Sequence, residues 1–179
     1  MKSLLSHIRD WFLPKEEYFV AFANADSRIE GWFKAEMIIL LNRLLQQGHI
    51  DGFQRELNIP TPNGSKQRSQ IDFRIVLKGQ GNLCELKALC ISQAAGTPRN
   101  LQFYFHDEHV GIVKDFKKLD ELPSKDNKWV LGFVYPSPDP AEWSKTIKSL
   151  ADNLKHWECV TKPHDFPKYA FVALWRQSR

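Results

Sequence analysis

Asp72, in the string Gln70-Ile71-Asp72-Phe73-Arg74-Ile75-Val76, and Glu85-Leu86-Lys87, thirteen positions on, are the residues of this chain whose types and spacing could do chemistry. The Asp opens one β-like run and the Glu-x-Lys closes the next. Two acids and one lysine are what phosphodiester hydrolysis with a divalent cation needs: the cation takes carboxylate oxygens, and the lysine supports a water or a phosphate oxygen. A third acid, Glu36, falls on an apolar helix upstream. At roughly 100° per residue, Ile29 and Leu40 flank it within about 40° on one side, and Trp32 and Ile39 within about 60° on the other. A lone carboxylate buried there would be costly or neutral. A cation shared with Asp72 and Glu85 would resolve that cost; so would a plain partner such as Arg43 or a backbone amide. Glu30 is the weaker candidate, because Ser27-x-x-Glu30 already reads as a capping box.

These residues need a hairpin and a helix to position them. Residues 69–77 and 82–89 read as two strands around Lys78-Gly79-Gln80-Gly81, a hairpin turn rather than a phosphate loop. With Leu77 opposite Asn82, Asp72 faces Lys87 and Arg74 faces Glu85 on one side of the sheet. Ile71, Phe73, Ile75 and Leu77 then meet Cys84, Leu86 and Ala88 as an apolar layer on the other. Asp72–Lys87 and Arg74–Glu85 would equally serve as cross-strand ion pairs on a wet face. The helix is expected over residues 28–47, apolar nearly all round and hence mostly buried, with Gly48 as its stop.

The rest of the chain supplies a frame. Residues 1–13 read as a short amphipathic helix ended by Pro14, an extension to the core, and Arg9-Asp10 inside it does not suit a secretory signal. Residues 52–57 read as a first strand, followed by a turn-rich loop over 60–66 containing Asn63-Gly64. Residues 92–100 read as a loop, 101–105 as strand or helix, 115–122 as a short helix and 129–135 as a strand. A helix starting at Asp139 or Pro140 runs to about Trp157, and 169–175 is a last strand. The expected fold class is α/β: a mixed central sheet flanked by helices, in one domain over residues 1–179.

Composition fits that picture. Of 179 residues, 42% are hydrophobic and 12% aromatic, enough for a core. No apolar run is long enough for a membrane span. Cys84, Cys90 and Cys159 show no paired or zinc spacing, so a reduced cytoplasm is the simplest setting. The net charge of +4 agrees with a polyanionic partner without requiring one. His106-Asp107-Glu108-His109 does not match zincin spacing and reads as a solvated turn. Arg99, Lys114, Lys117 and Lys118 could meet phosphates, although a wet surface is the plainer reading. Trp129, Trp143, Trp157 and Trp175 fall on apolar periodicity and are expected in the core.

Glu36 on a helix, a strand with Arg55-Glu56-Leu57, Asp72 in a hairpin and Glu85-Leu86-Lys87 together resemble the PD-(D/E)XK, or restriction-endonuclease-like, superfamily. The resemblance covers roughly residues 28–135. It departs from the family pattern at Ile71, where many members carry Pro. It implies a restriction-endonuclease-like core and a metal-dependent endonuclease acting on nucleic acid, with DNA as the expected substrate. Asp72 and Glu85 would bind Mg²⁺, or Mn²⁺ in its place, with the Leu86 backbone carbonyl as a further ligand. Lys87 would orient or help deprotonate the attacking water and steady charge on the phosphate. Glu36 would position a ligand water or bind a second cation. Such cores often pair to cut two strands, which makes a homodimer compatible with the resemblance. The rival from another class is a catalytically silent nucleic-acid-binding or assembly module with the same fold.

Overall fold

The computed structural model of the chain describes residues 2–25, 29–60, 68–91, 101–105, 111–153, 158–161 and 169–176. Its centre is a six-stranded sheet in the order β1-β2-β3-β4-β6-β5. The strands are β1 (Gly52–Pro60), β2 (Arg68–Leu77), β3 (Gln80–Cys90), β4 (Asn127–Tyr135), β5 (Glu158–Thr161) and β6 (Ala170–Arg176). Only β3 and β4 run parallel; every other neighbouring pair is antiparallel. The expected mixed α/β architecture, a central sheet flanked by helices, is what the chain adopts. No helix among the described residues is long and apolar enough to cross a membrane.

One face of the sheet is covered by three helices: α1 (Lys2–Phe12), α2 (Glu16–Asn24) and α3 (Glu30–Gln46). Leu4, Leu5, Ile8 and Phe12 recur at helical spacing and are buried. The Phe12 ring lies 5.4 Å from Phe33 and 4.7 Å from Phe133. The N-terminal helix is therefore part of the core and not an extension to it. Pro14 does not end the helical region either. It starts a single 3-10 turn, Leu13–Lys15, and α2 follows directly. Proline is tolerated in a first turn, where its missing N–H has no intrahelical partner to lose.

α3 is one-sided rather than apolar all round. Phe33, Met37, Leu40, Leu41 and Leu44 are buried, whereas Ile39 is 52% exposed and Leu45 40%. Ser27 of the expected capping box lies outside the described residues. Ile29 stands at the N-cap without a side-chain cap, and the Glu30 side chain is engaged elsewhere.

The opposite face is covered by α4 (Leu101–Phe105), α5 (Ile112–Asp120) and α6 (Pro140–Asn153). Ile112, Val113, Phe116 and Leu119 make the buried stripe of α5, which starts three residues before the sequence suggested. Gly111 precedes it because an added Cβ would meet the Tyr104 carbonyl oxygen at 2.0 Å. Asp139 caps α6, its Oδ1 accepting the N–H groups of Ala141 and Glu142 at 2.9 Å each. Strand β5, which the sequence reading missed, pairs with β6. Trp129 and Trp143 are fully buried, as expected, and Trp175 packs against the core; Trp157 lies outside the described residues, as do Arg99, the loop at 61–67 and His106 to His109.

The β2–β3 turn corrects the expected register. Lys78 and Gly79 both take positive φ, 49° and 75°, as a two-residue primed turn requires. Leu77 thus pairs with Gln80, and Phe73 with Cys84. The slip from the expected pairing is two residues. Because side chains alternate with period two, the face assignment survives it from Phe73 to Leu77 and along β3. Asp72 does not face Lys87, and Arg74 does not face Glu85. Arg74 lies across from Leu83 and forms a two-pronged bond with Asp126, Nε to Oδ2 at 2.7 Å and Nη2 to Oδ1 at 3.1 Å.

Candidate metal-binding site

The pairing of β1 with β2 skips Glu56 and Asp72, and that of β2 with β3 stops at Phe73 and Cys84. Glu56 takes a φ of 52°, a conformation costly for a residue with a Cβ. The arm beyond this point is turned. Leu57, Ile59 and Ile71 pack on the α4–α6 side, whereas Phe53, Phe73 and Ile75 pack on the α1–α3 side. Ile71 therefore leaves the apolar layer in which the sequence placed it. The kink leaves the Leu86 N–H without a strand partner on the β2 side, and the Asp72 side chain supplies one: Oδ2 accepts that N–H at 2.9 Å.

Glu85 sits beside Asp72 and is only 6% exposed, one of two buried polar or charged residues among those described, the other being Asn82. Burial raises its carboxyl to about 8. The charge of Asp72 and a hydrogen bond shared with it add to the rise, and Lys118 and Lys87 oppose it. Two carboxyls this close cannot both ionise cheaply in a dry site. The neighbouring Cys84 thiol is pushed up by burial and by the same two acids, so it is no thiolate nucleophile.

Lys34 and Lys87 complete the cluster. Lys34 Nζ lies 2.7 Å from Asp72 Oδ1 and 2.9 Å from Glu30 Oε1. Lys87 Nζ lies 3.2 Å from Asp115 Oδ2 and 3.6 Å from Glu30 Oε2. Glu30 thus bridges the two lysines. Burial works against the Lys87 charge, but Asp115 and Glu30 outweigh it and hold its pKa above the ordinary value. Burial likewise raises Asp115, against the pull of Lys87 and Lys118.

Asp72, Glu85 and Lys87 are brought together as the sequence reading expected. Glu36 is not. Its Oε2 accepts a hydrogen bond from Trp11 Nε1 at 2.8 Å and pairs with Lys15 Nζ at 3.4 Å. The helix explains this: Glu36 projects about 200° around α3 from Lys34, whereas Glu30 projects only about 40° from it. The acid that α3 brings to the cluster is Glu30. The sequence reading passed over Lys34 and Asp115. Lys34 was legible as the i+4 partner of Glu30; Asp115 carried no local signal.

Asp72 and Glu85 fit a hard divalent cation in donor type. Both are oxygen ligands, and the like charge that lifts Glu85 is the kind a cation relieves. In an extended strand the N–H and C=O of one residue point the same way, so the Leu86 carbonyl is turned toward the Asp72 side. Among the described residues no group of three His, Cys, Asp or Glu side chains is gathered that could hold a metal ion. Mg²⁺ keeps several waters, so such a set is enough only if water completes it. No known protein family, curated protein or solved structure matches this chain.

Proposed function

We propose that this chain is a metal-dependent phosphodiesterase acting on nucleic acid, DNA by its resemblance, with a restriction-endonuclease-like core. The observation that carries this reading is the carboxyl pair Asp72 and Glu85 at the mouth of the β2–β3 split, Asp72 held there by the Leu86 N–H and Glu85 only 6% exposed, with Lys87 reaching from the same strand as Glu85. Asp72 and Glu85 would hold Mg²⁺ or Mn²⁺, joined by the Leu86 carbonyl. Bound there, the cation supplies a Lewis acid and a water made acidic by coordination. Lys87 contributes charge. With its pKa raised by Asp115 and Glu30 it stays an ammonium at neutral pH, so it steadies negative charge growing on the phosphate and does not act as the base. Exposed Lys114 and Lys118 stand one turn apart on α5, and Lys118 is close enough to act on the charges of Glu85 and Asp115. They would take flanking phosphates.

Plasmid and single-stranded DNA, each incubated with Mg²⁺, Mn²⁺ or EDTA, test this. Cutting that needs the cation and disappears in both Asp72→Ala and Lys87→Ala is the expected result. One observation favours a second reading, a catalytically silent nucleic-acid-binding module: Asp72 already carries Lys34, and Lys87 already carries Asp115. DNA binding without cutting under any cation would establish that reading instead.

A further inference from the structure

We infer that Lys34 is the built-in counter-ion of the carboxylate pocket, holding the place of a divalent cation and displaced when one enters. The inference rests on the metal-binding reading of Asp72 and Glu85. Both Asp72 oxygens are in use: Oδ2 takes the Leu86 N–H, and Oδ1 takes the Lys34 ammonium at 2.7 Å. The Leu86 contact is part of the sheet and fixed. The Lys34 contact is made by a long side chain that is 36% exposed and can swing toward solvent. A cation bound at Asp72 Oδ1 would share that oxygen with an ammonium 2.7 Å away, and the repulsion between the two positive charges drives Lys34 off.

The charge balance points the same way. Among the described residues, Glu30, Asp72, Glu85 and Asp115 meet Lys34 and Lys87 at contact distance and Lys118 from farther off, so four acids face three cations and a negative excess remains once Glu85 is ionised. Without Lys34 the Asp72 carboxylate, 12% exposed, would have no cation within contact among the described residues. Burial works to lower the Lys34 pKa, yet the hydrogen bonds to Asp72 and Glu30 outweigh it and lift it. Once displaced, the ammonium remains on the Glu30 carboxylate. There it is placed to meet a phosphate oxygen of a substrate held by the same cation.

Mn²⁺ titrated calorimetrically into the full chain tests this, using wild type, Lys34→Met, Lys34→Gln and the charge-retaining Lys34→Arg. A counter-ion that occupies the site lowers the apparent affinity by the fraction of molecules in which the site stands open. Lys34→Met and Lys34→Gln are expected to bind Mn²⁺ about tenfold more tightly than wild type, with Lys34→Arg near wild type. Binding by the neutral variants alone supports the inference equally. Unchanged or weaker binding in the neutral variants overturns it and leaves the metal site standing. No Mn²⁺ binding by any of the four overturns both. The wild-type chain gives an independent measurement should the variants fold poorly: acetylation of Lys34 by an amine-reactive reagent, read by mass spectrometry, should rise several-fold when Mn²⁺ is added. Labelling that is unchanged or falls overturns the displacement.

Discussion

Lys87 Nζ and Asp115 Oδ2 lie 3.2 Å apart, although one belongs to the sheet and the other to the first turn of a helix reached through the β3–β4 crossover. The contact fixes where the only lysine of the Glu-x-Lys string points. Asp115→Asn keeps the shape of the side chain but removes the charge that holds the ammonium in place. We expect metal-dependent cleavage to fall by up to about 100-fold, the cost of a misplaced charged group near the reaction. The fall should appear in kcat more than in KM. Thermal unfolding should change little, because burial already opposes the Asp115 charge.

Stability without metal should decline as pH rises. The Glu85 carboxyl titrates at about 8 in the folded chain against an ordinary 4.5. A raised acid is favoured in its protonated form. Its contribution is therefore whole below about pH 4.5 and is lost as pH rises through about 8, to a total on the order of a few kcal/mol. Thermal melts from pH 5 to 9 in EDTA check this. Glu85→Gln should flatten the profile, and Mg²⁺ should restore the wild type at high pH.

Glu36→Leu should destabilise the chain while sparing metal-dependent cleavage. From the sequence this change looks neutral or stabilising; the hydrogen bond from Trp11 reverses the sign. Removing the acceptor strands a part-buried indole N–H, a loss of about 1–3 kcal/mol, while Lys15 keeps the Trp11 carbonyl as a partner at 3.0 Å. Glu36→Gln, which can still accept from Trp11, should lose less. Denaturant midpoints for the two variants give the comparison.

Gly111→Ala should be among the costlier single methyl additions in this chain. Its Cβ would press on the Tyr104 backbone, which has no side-chain freedom with which to yield. Overpacking of this kind costs about 1–3 kcal/mol, or more where backbone must shift. Since α5 carries Asp115, cleavage should fall along with the melting temperature.

The sequence was a good guide where periodicity decides and a poor one where distant elements meet. Arg74, Glu85 and Lys87 share one face although the register expected for them is wrong by two residues, while the kink at Asp72 turns the arm beyond it. The assignment survived because strand faces repeat every two residues. The slip itself came from Gly81, which looks like a turn residue. It is Gly because an added Cβ would meet Asp126 Oδ1 at 1.9 Å, in the pair with Arg74. Glu36 misled because a helical wheel counts apolar neighbours on one helix. The polar ends of Trp11 and Lys15 arrive from elsewhere. Nothing local to Asp115 announces that the crossover from β3 to β4 will set it beside Lys87. The helix at 16–24 was hidden by Pro14, read as a stop when it opens a turn.

The parallel seam between β3 and β4 also governs how the molecule comes into being. Asn82 and Asn127, hydrogen-bonded at 3.0 Å across it, are 45 positions apart. The meander of β1, β2 and β3 can assemble from short-range contacts, but this seam must wait for a long loop to close. Until then Leu83, Leu86 and Leu89 stand on a bare strand edge, open to pairing with the same segment of another nascent chain. A product truncated before Asn127 should accordingly be found in inclusion bodies rather than as a free meander.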